Sequence, residues 1–353
     1  MSETMKAMRL YAPLDLRLME VPRPEIRPDE VLCKVRRACV CGTDYAIYSG
    51  ELSFVKSGDV TFPMTLGHEW SGVVEAVGGD VFDFQPGDRV ISDNGFSCGR
   101  CLKCLAGKPH LCSRVRSLGT IRAWDGAFAE YLAIPERHLF HLPDEVSFDD
   151  GAMIEPLTIA YSGVRGIELE AGETVLVNGA GSIGMLAARL CRISGASRVF
   201  LTGRKPGKLE AARKFEAADV LIDTSRESVA DVLARHTPKG KVDKTLECSG
   251  SIDLLFESLK LTGSGGTVAA LAFYEREIES LPIDQLVFGN LTLRGIGNVS
   301  GTHEHCLALV AAGKIHPGAL INGRYPFAEL KQALEDMKLK NSVRVKWAID
   351  FPN

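Results

Sequence analysis

The sequence predicts an α/β protein with two domains, a β-rich domain that carries metal-binding loops and a doubly wound parallel sheet. Its 353 residues, 45% of them apolar, suffice for two buried cores. Up to about Asp150 the chain shows short apolar runs punctuated by Pro and Gly. After Pro156, apolar strands alternate with amphipathic helices, a pattern typical of a parallel sheet covered by helices on both faces.

The order of the predicted elements follows this change of pattern. The first part holds short strands at Val31–Val35, Gly72–Val77 and Arg89–Asp93. The second part alternates strands and helices, beginning with strand Thr174–Asn178 and helix Ile183–Ser194 and continuing with strand Arg198–Thr202, helix Lys208–Phe215, strand Val220–Ile222, helix Val229–His236 and strand Val242–Glu247. The last part holds a strand at Leu291–Gly295, a helix near His305–Ala312 and a closing strand at Val343–Asp350.

Charge and hydropathy exclude several classes of protein. The net charge is −4 and no block of Lys and Arg occurs, so nucleic-acid and membrane-surface binding lack their usual electrostatic signal. Apolar stretches such as Val268–Phe273 are too short to cross a bilayer, and the N-terminus lacks the apolar segment of a signal peptide. We therefore expect a cytoplasmic protein, whose cysteines stay reduced and bind metal.

Four of the ten cysteines form one cluster. Cys98, Cys101 and Cys104 are separated by two-residue gaps, and Cys112 follows nearby. Two such gaps let thiolates converge tetrahedrally on one zinc ion. Because sulfur fills all four positions, this zinc is expected to be structural.

A glycine-rich turn predicts a dinucleotide site in the second part. It runs between a predicted strand and a predicted helix and includes Gly179, Gly181, Ser182, Ile183 and Gly184. Free backbone N–H groups at the start of that helix favour an anion such as a pyrophosphate. Cys248 and Ser249 follow a later strand of the same sheet and are expected at the same crevice.

The second strand of the sheet predicts which dinucleotide binds. An acidic residue at its end normally bonds the ribose of NAD, but here the chain reads Gly203, Arg204 and Lys205. A glycine leaves room for a 2′-phosphate and a guanidinium offers it a fork of donors, so NADP(H) is favoured. In the alternative, the two basic residues are ordinary solvated charges and the cofactor is NAD(H).

Five motifs in order resemble the zinc-dependent medium-chain dehydrogenase/reductase superfamily, specifically its sorbitol and threonine dehydrogenase-like polyol dehydrogenases. The resemblance spans Met8 to Val345. It rests, beside the cysteine cluster, on Cys41-Gly42-Thr43-Asp44, Thr65–Gly78 with Gly67-His68-Glu69, Gly87-Asp88-Arg89-Val90, Glu155-Pro156-Leu157 and Gly179–Gly184. It implies a GroES-like catalytic domain at 1–155, a Rossmann nucleotide-binding domain at 156–292 and a return to the catalytic domain at 293–353.

The resemblance also implies a second, catalytic zinc in each subunit. Cys41, His68 and Glu69 would bind it, and Glu155 would either coordinate as well or hold the water beside the metal. Thr43 would take the proton of the substrate alcohol. The position that carries a relay histidine in many relatives is Ala46 here, which leaves Glu155 with water, or more weakly Asp44 or Tyr45, as the onward route.

The implied reaction is reversible oxidation of a secondary alcohol of a polyol to a ketone. Glu155-Pro-Leu stands where alcohol dehydrogenases carry a cysteine, which favours polyols and amino alcohols. A threonine-type or simple secondary-alcohol dehydrogenase is the alternative, and a zinc-bearing regulatory protein without turnover is the alternative from another class. A homo-dimer or homo-tetramer is expected, with apolar Leu281–Phe288 at its interface.

The predicted substrate pocket departs from the sorbitol dehydrogenases. Those enzymes carry an arginine flanked by aromatic residues where this chain reads Gly297-Asn298-Val299. Asn298 still bonds hydroxyl groups but brings no charge. Phe54, Leu118 and Trp124 are candidate walls of the pocket, with ordinary core packing as the favoured alternative for each. His303 and His305 fit no ligand pattern and are expected at the surface.

Overall fold

A computed structural model describes residues 3–122, 124–297, 301–339 and 343–352. The chain forms two compact units, one of Met1–Glu155 together with His303–Asn353 and the other of Pro156–Thr302. The predicted α/β class, with a β-rich unit and a parallel-sheet unit, is confirmed. Among the described residues, no helix combines the length and the apolarity that a membrane span requires.

In the described part of its first stretch, the β-rich unit contains ten strands and four short helices. The strands are β1 (Thr4–Ala12), β2 (Asp15–Pro22), β3 (Glu30–Val40), β4 (Met64–Thr65), β5 (Glu69–Val77), β6 (Arg89–Ser92), β7 (Gly95–Phe96), β8 (Arg116–Ser117), β9 (Tyr131–Pro135) and β10 (Leu139–His141). The α-helices are α1 (Gly42–Tyr48), α2 (Ser53–Lys56), α3 (Leu102–Leu105) and α4 (Phe148–Ala152). Two 3₁₀ turns lie at Pro109–Leu111 and Glu136–His138.

The second unit alternates strands and helices. It follows helix α5 (Ile154–Gly166) and contains β11 (Thr174–Asn178), α6 (Ser182–Ile193), β12 (Arg198–Gly203), α7 (Pro206–Lys214), β13 (Val220–Asp223), α8 (Val229–His236), β14 (Val242–Glu247), α9 (Ile252–Leu261), β15 (Thr262–Ala270), α10 (Ile283–Gly289) and β16 (Thr292–Gly295). The chain then returns to the first unit with α11 (His303–Ala311), a 3₁₀ turn at Pro317–Leu320, β17 (Ile321–Pro326), a 3₁₀ turn at Phe327–Glu329, α12 (Leu330–Asp336) and β18 (Lys346–Asp350).

Strand β3 organises the β-rich unit. It pairs antiparallel with β5, β9 and β18 within a seven-stranded sheet whose main path runs β10-β6-β5-β3-β18-β17. Because partners line both of its edges, the strand is longer than the predicted Val31–Val35 and most of its residues are buried. Cys41 directly follows β3 and His68 directly precedes β5, so the pairing of these two strands fixes the positions of both residues.

The second unit is a six-stranded parallel sheet in the order β13-β12-β11-β14-β15-β16. The order reverses direction beside β11, the switch point at which such sheets bind nucleotides. Strand β16 pairs with β15 and so belongs to this sheet. The boundary between the units therefore lies after Thr302, and not at 292 as the sequence predicts, because strand pairing across the sheet outweighs the local change of pattern.

Candidate metal and nucleotide sites

The four clustered cysteines lie together in the β-rich unit. Sulfur atoms are 3.4 Å apart between Cys101 and Cys104, 3.8 Å between Cys101 and Cys112, and 4.0 Å between Cys98 and Cys104. Four thiolates about 2.3 Å from one zinc would be about 3.8 Å apart, so the residues fit the ion.

Hydrogen bonds around the cysteine cluster lower the pKa of Cys98 and Cys101 and so favour their thiolate form, whereas burial raises the pKa of Cys104. The backbone N–H of Arg100 lowers the pKa of Cys98 to about 6, opposed by partial burial and aided by Cys112. The guanidinium of Arg114 donates to Cys98 Sγ at 3.2 Å, and the backbone N–H of the same residue donates to Cys112 Sγ at 3.4 Å. Donors to sulfur stabilise the charged form that binds metal.

A second set of ligands joins two loops of the same unit. The ligand atoms of Cys41, His68 and Glu69 all lie within 4.8 Å of one another. A thiolate, an imidazole and a carboxylate are a donor set that suits zinc, with a fourth position left for substrate. The predicted residues are thus brought together, and they fit a catalytic zinc ion.

Asp44 connects the two loops that supply these ligands. It is completely buried, and its carboxylate accepts hydrogen bonds from the backbone N–H groups of Cys41 at 2.8 Å and Gly67 at 3.2 Å. Its Oδ1 also lies 3.4 Å from Nδ1 of His68. A carboxylate behind a ligand histidine orients the ring and leaves the other nitrogen for the metal. The sequence pointed to Asp44 only as a weak proton carrier.

Glu69 has a partner that the sequence did not suggest. Nζ of Lys346 lies 2.7 Å from each carboxylate oxygen of Glu69, and both side chains are buried. The only local sign of this pair is a lysine within the apolar closing strand β18.

Glu155 and Thr43 lie near the same ligand set. Asn94 Nδ2 donates to Glu155 Oε1 at 2.6 Å, and burial raises the pKa of Glu155 to about 7, opposed by the charge of His68. Thr43 Oγ1 lies 3.7 Å from Cys41 Sγ. Glu155 is not part of the tight group of Cys41, His68 and Glu69.

The glycine-rich turn occupies the switch point of the parallel sheet. Gly179 has φ +107°, which favours glycine, and Gly181 precedes the first turn of α6 with open space where a Cβ would stand. Ser182 and Ile183 form that first turn, whose N–H groups lack partners within the helix. This geometry suits a pyrophosphate at the helix N-terminus.

The turn after β14 lies next to this loop. Cys248 donates its backbone N–H to the carbonyl of Asn178 at 2.9 Å, and a Cβ on Gly179 would lie 3.1 Å from that of Ser249. Buried Glu247 holds the turn, because it accepts from the backbone N–H of Ser249 at 2.8 Å and from the hydroxyl of Tyr274 at 2.6 Å. The structure therefore places both predicted residues beside the glycine loop.

The end of β12 is more tightly packed than the sequence suggested. A Cβ at Gly203 would lie 2.9 Å from atoms of both Ala180 and Leu209, so the glycine is required by packing and not merely by space for a phosphate. Arg204 and Lys205 follow as exposed residues. Within the described residues, the Arg204 side chain makes no hydrogen bond or ion pair, which leaves its guanidinium available to a ligand.

The candidate substrate residues have different environments. Leu118 is fully buried, Phe54 packs against the core, and Trp124 lines a cavity of about 650 Å³ within the β-rich unit. Asn298 and Val299 lie outside the described residues.

The prediction of a surface position is wrong for His303. Its ring is buried and stacks on Phe140 at 4.8 Å, because His303 begins the inward face of α11 that continues with Cys306, Leu307 and Val310. Burial lowers the pKa of His303. His305 is exposed, as expected.

A dinucleotide loop on a parallel sheet and two sets of zinc ligands in a β-rich unit define a zinc-dependent, dinucleotide-linked oxidoreductase. Comparison with known proteins gives the family. The model of the alcohol dehydrogenase GroES-like domain matches residues 27–144, and the model of the zinc-binding dehydrogenases matches residues 182–312. The chain belongs to these zinc-binding dehydrogenases, within the medium-chain dehydrogenase/reductase superfamily.

Similar proteins cover nearly the whole chain. It is 32% identical over 348 residues to an L-threonine 3-dehydrogenase of Rhizobium etli, covering 98% of this chain and 99% of that protein. A structure of a putative zinc-binding dehydrogenase from Sinorhizobium meliloti 1021 bound to NADP has a TM-score of 0.90 and 32% identity, covering 99% of this chain and 100% of the other. The structure of galactitol-1-phosphate dehydrogenase from Escherichia coli has a TM-score of 0.87 and 28% identity. The match covers 98% of this chain and 100% of the other.

These findings confirm the family and class that the sequence predicts. The protein is a zinc-type, NAD(P)-dependent alcohol dehydrogenase, an oxidoreductase that acts on CH–OH groups. The regulatory alternative without turnover is thereby set aside.

Proposed function

We propose that this enzyme reversibly oxidises a secondary alcohol of a small polyol to a ketone and transfers the hydride to NADP. The observation that carries the proposal is the convergence of Cys41, His68 and Glu69 within 4.8 Å, beside the hydroxyl of Thr43. A polyol substrate is supported by the carboxylate Glu155 where simple alcohol dehydrogenases carry a cysteine, and by the likeness to galactitol-1-phosphate dehydrogenase.

Each residue has a distinct role in this proposal. Zinc bound by Cys41, His68 and a carboxylate from Glu69 or Glu155 would supply a Lewis acid that favours deprotonation of the alcohol. Thr43 relays the substrate proton, since its hydroxyl accepts that proton while it gives up its own toward Glu155 through water, and Asp44 orients His68. The four clustered cysteines hold the structural zinc, so each subunit binds two ions.

The second unit holds the dinucleotide. Gly179, Gly181 and the first turn of α6 with Ser182, Ile183 and Gly184 receive the pyrophosphate, and Cys248 and Ser249 border it. Arg204, assisted by Lys205, binds the 2′-phosphate of NADP beside Gly203, which is the basis for favouring NADP(H) over NAD(H).

A threonine-type reaction is the second candidate. The proteins named L-threonine 3-dehydrogenase from Rhizobium etli and Yersinia pseudotuberculosis are 32% and 33% identical to this chain over nearly its whole length. Threonine carries a secondary alcohol as polyols do, so the same metal chemistry would serve both substrates.

None of the ten cysteines forms a disulfide, and five of them belong to the two proposed zinc sites. This supports a reducing compartment, which we propose is the cytoplasm.

A substrate panel tests the proposal. Purified protein is assayed for reduction of NAD and NADP with sugar alcohols, L-threonine and simple 2-alcohols, and in reverse with the matching ketones. We expect turnover of polyols in the parent and none in Cys41→Ser, whereas Cys306→Ala, a buried cysteine away from both ligand sets, keeps it. Turnover of L-threonine alone would establish the second candidate, and turnover of simple alcohols alone would overturn both.

A further inference from the structure

We infer that Asn178 is a positioning residue for the dinucleotide, because its buried side chain ties the glycine loop to the end of β12 and so fixes the site before the ligand binds. The inference rests on the dinucleotide site of the proposed function and concerns what holds that site in shape. Asn178 is the last residue of β11 and only 1% exposed, so its amide is closed off from solvent and acts through the residues around it.

Three buried side chains form one continuous chain of hydrogen bonds. The backbone N–H of Gly179 donates to Thr202 Oγ1 at 3.2 Å, and the Thr202 hydroxyl donates to Asn178 Oδ1 at 3.0 Å. Asn178 Nδ2 donates to Ser258 Oγ at 2.9 Å, and the Ser258 hydroxyl donates to the carbonyl of Leu254 in α9 at 2.7 Å. Thr202 and Ser258 are buried like Asn178, so water does not compete for these bonds.

The chain of bonds has one direction, which an amide at position 178 supports. The oxygen of Asn178 carries no proton, so the single hydroxyl proton of Thr202 must point to it and leaves the Thr202 oxygen to accept from the loop. The proton of Ser258 is directed to α9, so the Ser258 oxygen accepts from the amide nitrogen. Position 178 therefore needs an acceptor on one side and a donor on the other, and asparagine supplies both.

The main chain of Asn178 and its side chain together reach three segments that border the dinucleotide. Gly179, with φ +107°, opens the loop that suits the pyrophosphate, and Thr202 lies two residues before Arg204, the residue proposed to bind the 2′-phosphate. The carbonyl of Asn178 accepts from the backbone N–H of Cys248 in the turn after β14 at 2.9 Å. A site held in its binding shape loses less conformational freedom when the ligand arrives, so these bonds should increase affinity.

The test measures the Kd of NAD and of NADP by calorimetric titration of the full-length protein. Asn178→Leu keeps a similar volume but leaves the hydroxyls of Thr202 and Ser258 without this partner, so we expect the Kd of both dinucleotides to rise at least about tenfold. Thr202→Val should have the same effect, whereas Thr202→Ser keeps the hydroxyl and should stay within about twofold of the parent. Ser258→Ala removes the link farthest from the loop and should raise Kd about threefold. In turnover, KM for the dinucleotide should rise in Asn178→Leu while kcat at saturation stays within about twofold.

Thr245→Val is the matched control for loss of a buried hydrogen bond in the same sheet. Thr245 lies in β14, is fully buried, and its Oγ1 is 2.8 Å from Oγ1 of Thr262. We expect Thr245→Val to lower the melting temperature, as Asn178→Leu does, but to leave both Kd values within about twofold of the parent.

Three outcomes overturn the inference alone. The first is an unchanged Kd in Asn178→Leu. The second is equal weakening by Thr245→Val, because general loss of stability would then explain the effect. If Asn178→Leu does not fold, the comparison of Thr202→Val with Thr202→Ser decides, and equal Kd values in that pair are the third. A parent protein that binds neither NAD nor NADP would instead remove the dinucleotide site, and with it the proposed function.

Discussion

The carbonyl oxygen of Gly179 lies 1.9 Å from the place that a Cβ on Gly184 would occupy. No side chain fits at this distance, so Gly184 lets the first turn of α6 press against the glycine loop. Gly181, three residues before, has nothing within 4 Å of its own ideal Cβ. One glycine is therefore required by packing, whereas the other leaves space for a ligand.

Alanine at these two glycines should have separable effects. Gly184→Ala must displace the Gly179 backbone, so we expect a loss of about 1–3 kcal/mol in the free energy of unfolding together with weaker dinucleotide binding. Gly181→Ala should keep stability within about 0.5 kcal/mol but weaken binding about tenfold, because its methyl group enters the space of the pyrophosphate. Denaturant unfolding and dinucleotide titration measure the two quantities. Tight binding by both variants would refute the assignment of the loop.

Most of the second unit could be predicted from the sequence because it consists of repeated βα units. Strands β11 and β14 and helix α8 occur at the predicted residues, because the alternation of apolar strand and amphipathic helix is a local signal. The cysteine cluster could also be predicted, since its four cysteines are close together in the sequence. Strand β16 was assigned to the wrong part because its place depends on pairing with β15.

Contacts between distant residues left no such signal. Glu69 and Lys346 are 277 residues apart, and a single lysine in the closing strand does not indicate which residue it pairs with. Likewise, Asp44 joins the loops of Cys41 and His68 through backbone N–H groups, which any sequence possesses. His303 was misplaced because one polar residue at the end of an apolar helix face is an ambiguous sign of burial.

Removing one clustered thiolate should remove one zinc ion. Cys98→Ser replaces a soft ligand at one corner of the tetrahedron, so zinc content should fall from about two to about one per subunit, with a lower melting temperature. Elemental analysis and thermal unfolding measure this, with Cys306→Ser as the control for loss of a thiol elsewhere in the unit. Unchanged zinc content in Cys98→Ser would contradict the structural site.

The apolar surface of α10 should govern assembly. Ile283, Val287 and Phe288 are exposed there, and β16 follows directly in the chain at the edge of the parallel sheet. We expect a dimer or tetramer in sedimentation, and at least about tenfold weaker association for Phe288→Asp. Phe82→Asp is the matched control, because Phe82 and Phe288 are both 86% exposed but lie in different units. A monomeric parent at micromolar concentration, or equal effects of both changes, would contradict the prediction.

The choice of cofactor should depend on Arg204. Its guanidinium makes no bond to the described residues, and a fork of donors to a 2′-phosphate is worth about 1.5–3 kcal/mol, or at least about tenfold in affinity. Arg204→Ala should therefore lower kcat/KM for NADP by that factor and leave kcat/KM for NAD nearly unchanged. Lys214→Ala removes an exposed charge at the far end of α7 and should leave the ratio of the two efficiencies where it was.

Gly203→Asp is the complementary change, since an acidic residue would repel the phosphate and accept from the ribose of NAD. The Cβ of the new aspartate must displace Ala180 or Leu209, both 2.9 Å away, so part of the decrease in kcat/KM will be the same for both cofactors. That shared decrease cancels in the ratio of kcat/KM for NADP to kcat/KM for NAD, and we expect this ratio to shift toward NAD by at least about tenfold. Thermal unfolding of the same variant measures the packing cost separately. If the parent already prefers NAD, or if neither Arg204→Ala nor Gly203→Asp moves the ratio, then Arg204 and Lys205 are only solvated charges on a turn.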